Sequence, residues 1–286
     1  MPAADVSFSV PTSLEEALAE LAEEDAIALG GGTSVGLLLK NGLIEPQKIV
    51  WLAKVPDLRG VAVDDDGGLR IGAAVTLREL AGSSPVRTHA PALADAAGTV
   101  GNPRVRAVAT LGGALAHADP RQDVPPVLLA LDAEVRIAAP SGERIVPLAE
   151  FYTAFMETAL AEGELVTQVV VPAADNRRTH YVRFTPGSED DYPTVGVAIS
   201  IARGADGRIS RAVLALGGVG PTPLLVPQAR ELVGRSAPDP GEISAVAAAA
   251  EAAARPSDDQ RGSARYKKAM ARVWTERALH ACLGEG

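Results

Sequence analysis

Val6, Phe8 and Val10 alternate with polar neighbours, which predicts a short strand. Leu14, Ala17, Leu18 and Leu21 then recur at helical spacing. Ser13 and Glu16 stand where a capping box would open that helix. Ala26 to Leu29 is a short apolar run and predicts a second strand. It leads straight into Gly30-Gly31-Gly32-Thr33-Ser34, after which a second helix is expected to about Lys40. Ile49 to Leu52 completes a βαβαβ order, and that order predicts a small parallel sheet.

The pattern changes after Pro56. Val61 and Val63, a turn over 64–68, then Leu69 and Ile71 predict a hairpin. Thr76 to Leu80 and Ala90 to Ala97 have helical patterning. A long stretch of small residues, 99–123, follows and includes Thr110-Leu111-Gly112-Gly113-Ala114. Val124 to Leu131 predicts a short apolar helix, with Asp123 as N-cap and prolines in its first turn. Val135, Ile137 and Ile145 flank a Pro-Ser-Gly-Glu turn and predict a second hairpin. Leu165 to Val171 reads as a strand ended by Pro172. Residues 173–180 are polar and irregular, which places a domain boundary there. Strands are expected at Tyr181 to Phe184, Thr194 to Arg203 and Ile209 to Gly217, and helices over about 227–234, 242–254 and 263–283.

Composition narrows the class. The chain has 286 residues, enough for two to three domains with real cores. Every apolar run is interrupted before membrane-spanning length. The start of the chain lacks a basic region followed by an apolar core, so no secretory signal is expected. The formal net charge of −9 argues against nucleic-acid binding as the main task. With one cysteine, Cys282, the chain alone can hold no disulfide framework, Cys-ligated zinc or iron–sulfur cluster. A cytoplasmic setting is the expectation.

Candidate chemistry sits in the two glycine-rich segments. Gly30 to Ser34 lies between a strand and a helix, where glycine lets backbone N–H groups approach a phosphate. It is not a Walker loop, because Leu37-Leu38 stands where Lys-Ser/Thr is needed. It is not a Rossmann fingerprint, because Val35 occupies the third glycine position. A tight strand–helix turn without a ligand is the plain alternative. Thr110 to Ala114 repeats the device, with Asp123 downstream to accept from a sugar-like hydroxyl, or simply to cap a helix. Together the segments point to one dinucleotide. His117 and Asp119 have no histidine cluster around them, so no metal site is expected. Cys282 reads as a packing residue, and Ser188 to Tyr192 as a solvated acidic loop. No acid/base pair or nucleophile motif stands out, which suits an enzyme whose cofactor carries the chemistry.

These motifs resemble the FAD-binding medium subunit of molybdenum hydroxylases, the family of carbon monoxide dehydrogenase and xanthine dehydrogenase. The likeness rests on Gly30 to Ser34, Gly101-Asn102 with Arg106, and Ala109 to Asp123. Pro125 to Glu134, Val195 to Ala198, Gly217 to Pro223 and Asp259 to Lys268 extend it over nearly the whole chain. Ala114, Gly30 and Pro186 to Glu189 depart from the usual residues.

The resemblance implies an α+β fold: a two-part FAD-binding domain of the vanillyl-alcohol-oxidase/PCMH type, then an antiparallel sheet with a C-terminal helical bundle. The expected boundaries are 1–175, split at about 55, and 176–286. It implies that Gly30, Gly31, Gly32, Thr33, Ser34, Thr110, Leu111, Gly112, Gly113 and Ala114 bind the FAD pyrophosphate. Asn102 joins this cofactor set, Asp123 would hold a hydroxyl of the sugar-like chain, and Arg183 would lie near the flavin. No residue of this chain is implied as catalytic or metal-binding. The partners implied are a large molybdopterin subunit and a small subunit with two 2Fe–2S clusters, assembled as a dimer of heterotrimers. Electrons would pass from those clusters through FAD to an external acceptor. A free-standing flavin oxidoreductase and a flavin-free structural subunit are the competing readings.

Overall fold

A computed structural model of the chain describes residues 6–173 and 177–284. Residues 174–176, inside the expected boundary, lie outside the described residues.

The N-terminal unit has the expected βαβαβ order: β1 (Ser7–Ser9), α1 (Leu14–Leu21), β2 (Ala26–Leu29), α2 (Val35–Lys40) and β3 (Lys48–Trp51). Its strands run parallel in the order β1-β3-β2. Ser13 caps α1 by accepting from the Glu16 N–H. The expected capping box is only half formed, because the Glu16 carboxylate accepts from Thr12 instead. Ala17, Leu18 and Leu21 pack α1 onto Val50 and onto Leu165 and Ala138 of the next unit.

The middle unit begins with β4 (Val61–Val63) and β5 (Leu69–Gly72), the predicted hairpin. A run of helices follows: α3 (Leu77–Gly82), α4 (Ser84–His89), α5 (Pro91–Thr99), α6 (Pro103–Arg106), α7 (Leu111–His117) and α8 (Val124–Ala130). Then come β6 (Glu134–Ala139), β7 (Gly142–Pro147), α9 (Leu148–Phe151), the small pair β8 (Tyr152–Ala154) and β9 (Glu157–Thr158), and β10 (Leu165–Val171). The main sheet is antiparallel, in the order β4-β5-β10-β6-β7. Four helices in this unit were not expected: α4, α6, α7 and α9. Helix α7 takes in most of the small-residue segment 110–114, starting at Leu111 with Thr110 as its cap.

The C-terminal unit pairs β11 (Arg177–Phe184), β12 (Val195–Arg203), β13 (Ile209–Gly217) and β14 (Leu224–Leu225) in sequence order, all antiparallel. Strand β11 starts at Arg177, inside the stretch read as irregular. The helix expected near 227–234 is a 3-10 turn over Pro227–Leu232. Helices α10 (Pro240–Ala253) and α11 (Ala264–Leu283) close the chain. Val195 to Ile201 are buried along the whole run, because β12 is covered on both faces. Ala198 and Ala215 join the core of the middle unit, whereas Val197, Ile199 and Ile201 join the core with α10 and α11. No helix among the described residues is long and apolar enough to cross a membrane.

The N-terminal loop meets the middle unit through bare backbone. A Cβ on Gly31 would sit 1.8 Å from the Val108 carbonyl oxygen, inside any permitted contact. Gly36, by contrast, faces open space. Gly31→Ala is therefore expected to destabilise the chain by about 3 kcal/mol or more, since backbone must move to admit the methyl. Gly36→Ala should be neutral or stabilising by up to ~1 kcal/mol, as a helix-interior exchange. Urea unfolding of both variants checks the pair. Equal effects would mean that the loop does not pack against Val108.

Candidate functional site

The C-terminal end of β2 delivers the chain into the 30–34 loop. Trp51 of β3 donates its indole N–H to the Gly30 carbonyl at 3.1 Å, fixing where the loop leaves the sheet. Gly32 has φ +72°, a left-handed conformation that glycine tolerates. The carbonyls of Gly32 and Ser34 are engaged: Gly32 accepts from Gly36, and Ser34 accepts from Leu37 and Leu38. The donors are not. Among the described residues, none accepts from the N–H groups of Gly31, Gly32, Thr33 and Ser34. The Thr33 and Ser34 hydroxyls are equally unengaged, and Ser34 makes no side-chain cap to α2. All five loop residues are half-buried. Consecutive unpaired N–H groups around a positive-φ glycine form a concave anion site.

The second glycine segment lies directly against the first. A Cβ on Gly30 would stand 2.5 Å from the Thr110 hydroxyl oxygen. Thr110 caps α7, its hydroxyl accepting from the Gly113 N–H at 3.3 Å. The N–H groups of Leu111 and Gly112 donate to the carbonyls of Val75 and Ala73, at 2.9 and 2.8 Å. The first-turn donors of this segment are thus already spent, and it offers a ligand shape rather than N–H groups. Gly112 is required by packing, since a Cβ there would lie 2.6 Å from that of Ala73. Leu111 points into the core and is fully buried, whereas Gly113 is exposed and Ala114 half-buried.

Asn102 is exposed and caps α6, its side-chain oxygen accepting from Arg104 and Val105 N–H at 3.0 and 3.2 Å. No hydrogen bond among the described residues links it to the glycine loops.

Asp123 stands at the N-cap position of α8, but its backbone is helical and its side chain caps nothing. The capping expectation is therefore corrected. The carboxylate is 2 % exposed and accepts from the Tyr181 hydroxyl at 2.7 Å and Arg183 Nε at 2.8 Å. Burial pushes the Asp123 carboxyl up, against the opposing pull of Arg183 and Tyr181. Burial, with the Asp123 charge, also raises the Tyr181 hydroxyl well above its ordinary value.

Arg183 reaches onward with its two terminal nitrogens to the carbonyls of Glu189 and Asp191. Asp191 in turn accepts from Arg261 Nε at 3.0 Å and from its Nη2. The Tyr192 ring lies between two guanidinium groups, 5.1 Å from that of Arg121 and 5.7 Å from that of Arg261. The segment read as a solvated acidic loop is in fact braced, although Glu189 and Asp190 stay exposed. Sequence reasoning missed Tyr181, Tyr192 and Arg261, because their partners are distant in the chain, and Arg121, although its carboxylate partner Asp119 is only two residues away.

Among the described residues no group of three or more His, Cys, Asp or Glu side chains converges. Arg121 grips Asp119 through Nε and Nη2, at 3.0 and 2.9 Å. Cys282 is buried, and burial pushes its thiol up to about 11.

Comparison with known proteins identifies the frame. The family model for the FAD binding domain in molybdopterin dehydrogenase matches residues 4–174. That for the CO dehydrogenase flavoprotein C-terminal domain matches residues 180–282. The chain belongs to this family. The carbon monoxide dehydrogenase medium chain of Hydrogenophaga pseudoflava is 32% identical over 96% of both chains. The 6-hydroxypseudooxynicotine dehydrogenase complex subunit alpha of Paenarthrobacter nicotinovorans is 32% identical, over 96% of this chain and 94% of that protein. A solved carbon monoxide dehydrogenase structure from Hydrogenophaga pseudoflava superposes with a TM-score of 0.92 at 33% identity, covering 99% of this chain and 98% of the other. The medium-chain family comprises oxidoreductase subunits with an FAD-binding domain, and the present chain has that mixed α/β fold from end to end.

The Asp119–Arg121 pair sets a pH dependence. Burial alone would raise Asp119, but the hydrogen bonds and charge of Arg121 hold it below its usual value. A carboxyl lowered by folding stabilises above its unfolded pKa and loses that contribution as pH falls through its folded pKa. The stability difference between wild type and Arg121→Gln should be constant above about pH 5 and shrink below about pH 4. Urea midpoints across that range read it. A difference that does not change with pH would show that Asp119 gains nothing from Arg121.

Proposed function

We propose that this chain is the flavin-carrying medium subunit of a heterotrimeric molybdenum hydroxylase. The observation that carries the reading is the Gly31 to Ser34 loop, with its run of unpartnered N–H groups held in place by backbone packing on Val108. A pyrophosphate fits such a concavity, because it presents several oxygens as acceptors and no donor. Gly30, Gly31, Gly32, Thr33 and Ser34 would hold the FAD pyrophosphate, with Gly113 and Ala114 as the opposing surface. Thr110, Leu111 and Gly112 would support that surface from behind. Asn102 would shape the approach through α6. When bound, FAD supplies both one-electron and two-electron transfer.

The chain's own work is to bind and orient. Loop N–H groups hold the phosphates without a charged side chain, and the spent donors of α7 keep that helix from competing for them. The fold supports a two-part PCMH-type FAD domain over 1–175, divided near 55, with a C-terminal domain over 176–286. One cysteine cannot ligate a 2Fe–2S cluster, which takes four thiolates. The clusters therefore fall to a small partner subunit and the molybdopterin to a large one. Electrons would enter from the clusters and leave to an external acceptor, in a cytoplasmic dimer of heterotrimers.

Purification with the partner subunits tests the reading through the visible spectrum, released flavin, iron and molybdenum. All three cofactors are expected together. Substrate turnover by the flavin-loaded chain alone would favour a free-standing oxidoreductase, and no flavin after reconstitution would overturn the proposal. Gly32→Val places a β-branched residue at φ +72° and forces the loop out of its conformation. The FAD dissociation constant should rise about tenfold or more, ~1.4 kcal/mol, by fluorescence titration. Unchanged affinity would remove this loop from the phosphate site.

A further inference from the structure

The three strands of the parallel sheet lead to one peptide group. In the order β1-β3-β2, Phe8 comes from the edge strand, Trp51 ends the central strand, and Gly30 follows directly on β2. Trp51 pairs with Leu29 in the ladder, so its indole stands beside the point where β2 becomes loop. Its Nε1–H donates to the Gly30 carbonyl at 3.1 Å. The Phe8 ring lies against that indole, tilted by 39° with the ring centroids 6.3 Å apart. The carbonyl belongs to the peptide between Gly30 and Gly31. A trans peptide is planar and points its C=O and its N–H in opposite directions. Holding the oxygen toward Trp51 therefore turns the Gly31 N–H away from it, and this N–H meets no acceptor among the described residues.

The lock matters because of what flanks it. Side chains on either side of a peptide restrict its rotation, whereas a peptide between two glycines has no Cβ to resist a flip. A flip would leave the path of the chain nearly unchanged and exchange the two ends of the group. The Gly30 oxygen would then stand where the Gly31 N–H stands now, and an anion in the loop would face a dipole of the wrong sign.

We propose that Trp51 is a positioning residue for the phosphate loop. Its indole N–H sets the orientation of the Gly30–Gly31 peptide, and so decides whether the Gly31 N–H is offered to a bound pyrophosphate. Phe8 seats the indole. The proposal rests on the flavin reading for the identity of the ligand; the peptide lock belongs to the chain itself.

Two substitutions test it. Trp51→Phe keeps a ring beside Phe8 and removes the donor. Biosynthetic replacement of tryptophan by benzothienylalanine, with sulfur in place of the indole nitrogen, removes the donor and keeps the shape. The other tryptophan, Trp274, has a buried Nε1–H without a partner, so the same exchange there breaks no hydrogen bond. Inorganic pyrophosphate, on the full flavin-free chain, and FAD are the probes, followed by titration and phosphorus NMR. In both substituted proteins the dissociation constant of each probe should rise about tenfold, and the bound phosphorus resonances should move from their wild-type positions. An analogue-substituted protein that binds both probes within about twofold of wild type, with unmoved resonances, would overturn the proposal and reduce the indole to ring packing. That protein also decides the matter if Trp51→Phe fails to fold. Donor-dependent binding of pyrophosphate by a chain that takes up no FAD would support the lock and sink the flavin reading. Wild type that binds neither probe would overturn both.

Discussion

The contact on which the site depends is backbone against backbone. Gly31 lies on the Val108–Ala109 backbone so closely that it cannot carry a side chain, and Gly30 beside it lies against the Thr110 side chain. This contact joins the parallel unit to the middle unit at the point where the loop donors face outward. A glycine-rich loop is ordinarily expensive to order, because glycine loses the most conformational freedom on folding. Here the order comes from three sources. Trp51 holds the entry carbonyl, Gly36 and Leu37 close the exit turn, and the 108–110 backbone closes the remaining side. Among the described residues no acceptor takes the N–H groups of Gly31 to Ser34.

The two glycine segments look alike in sequence and do different work. In the first, the N–H groups are left unpaired. In the second, Gly112 admits Ala73, and the N–H groups of Leu111 and Gly112 extend the pairing of Thr76 with Thr110. Thr76 is itself held by a capping box with Glu79, so α3 and α7 brace one another through adjacent caps. The similarity of the motifs lies in what glycine permits. Their difference lies in which partner each backbone finds, and that is a tertiary fact.

How much of this was legible follows the same division. The βαβαβ unit, both hairpins and the two long C-terminal helices were readable, because period and turn residues are local signals. Helix α7 was not. Two glycines cost about 1 kcal/mol each in a helix interior, and the Thr110 cap with packing on Ala73 outweighs them. Helices α4 and α6 are too short to show a period, though Pro85 and Pro103 mark their starts. Strand β11 hid its first four residues, because Arg177 to His180 are polar and form an edge strand only half covered. Glu16 had the spacing of a capping box, but Thr12 offered its carboxylate two donors instead of one. The glycine loop of the candidate site was legible from composition. The role of Asp123 was not, because its partners lie 58 and 60 residues away.

Asp123 also shows why a buried charge at such a place is informative. Taking a carboxylate and a guanidinium out of water costs several kcal/mol per ion, and their attraction returns this only with good geometry. A hydrophobic pair would serve stability as well or better. What the ion pair adds is direction. Arg183 donates in one plane to a carboxylate and two carbonyls, so the strand, the helix link and the loop take one relative arrangement. Apolar packing would permit several. The same logic applies to Tyr192, whose ring lies between two arginines that are each fixed by a carboxylate, Arg121 by Asp119 and Arg261 by Asp191. Charge placed by charge, with little side-chain freedom left, keeps an aromatic corner in register without a disulfide or metal.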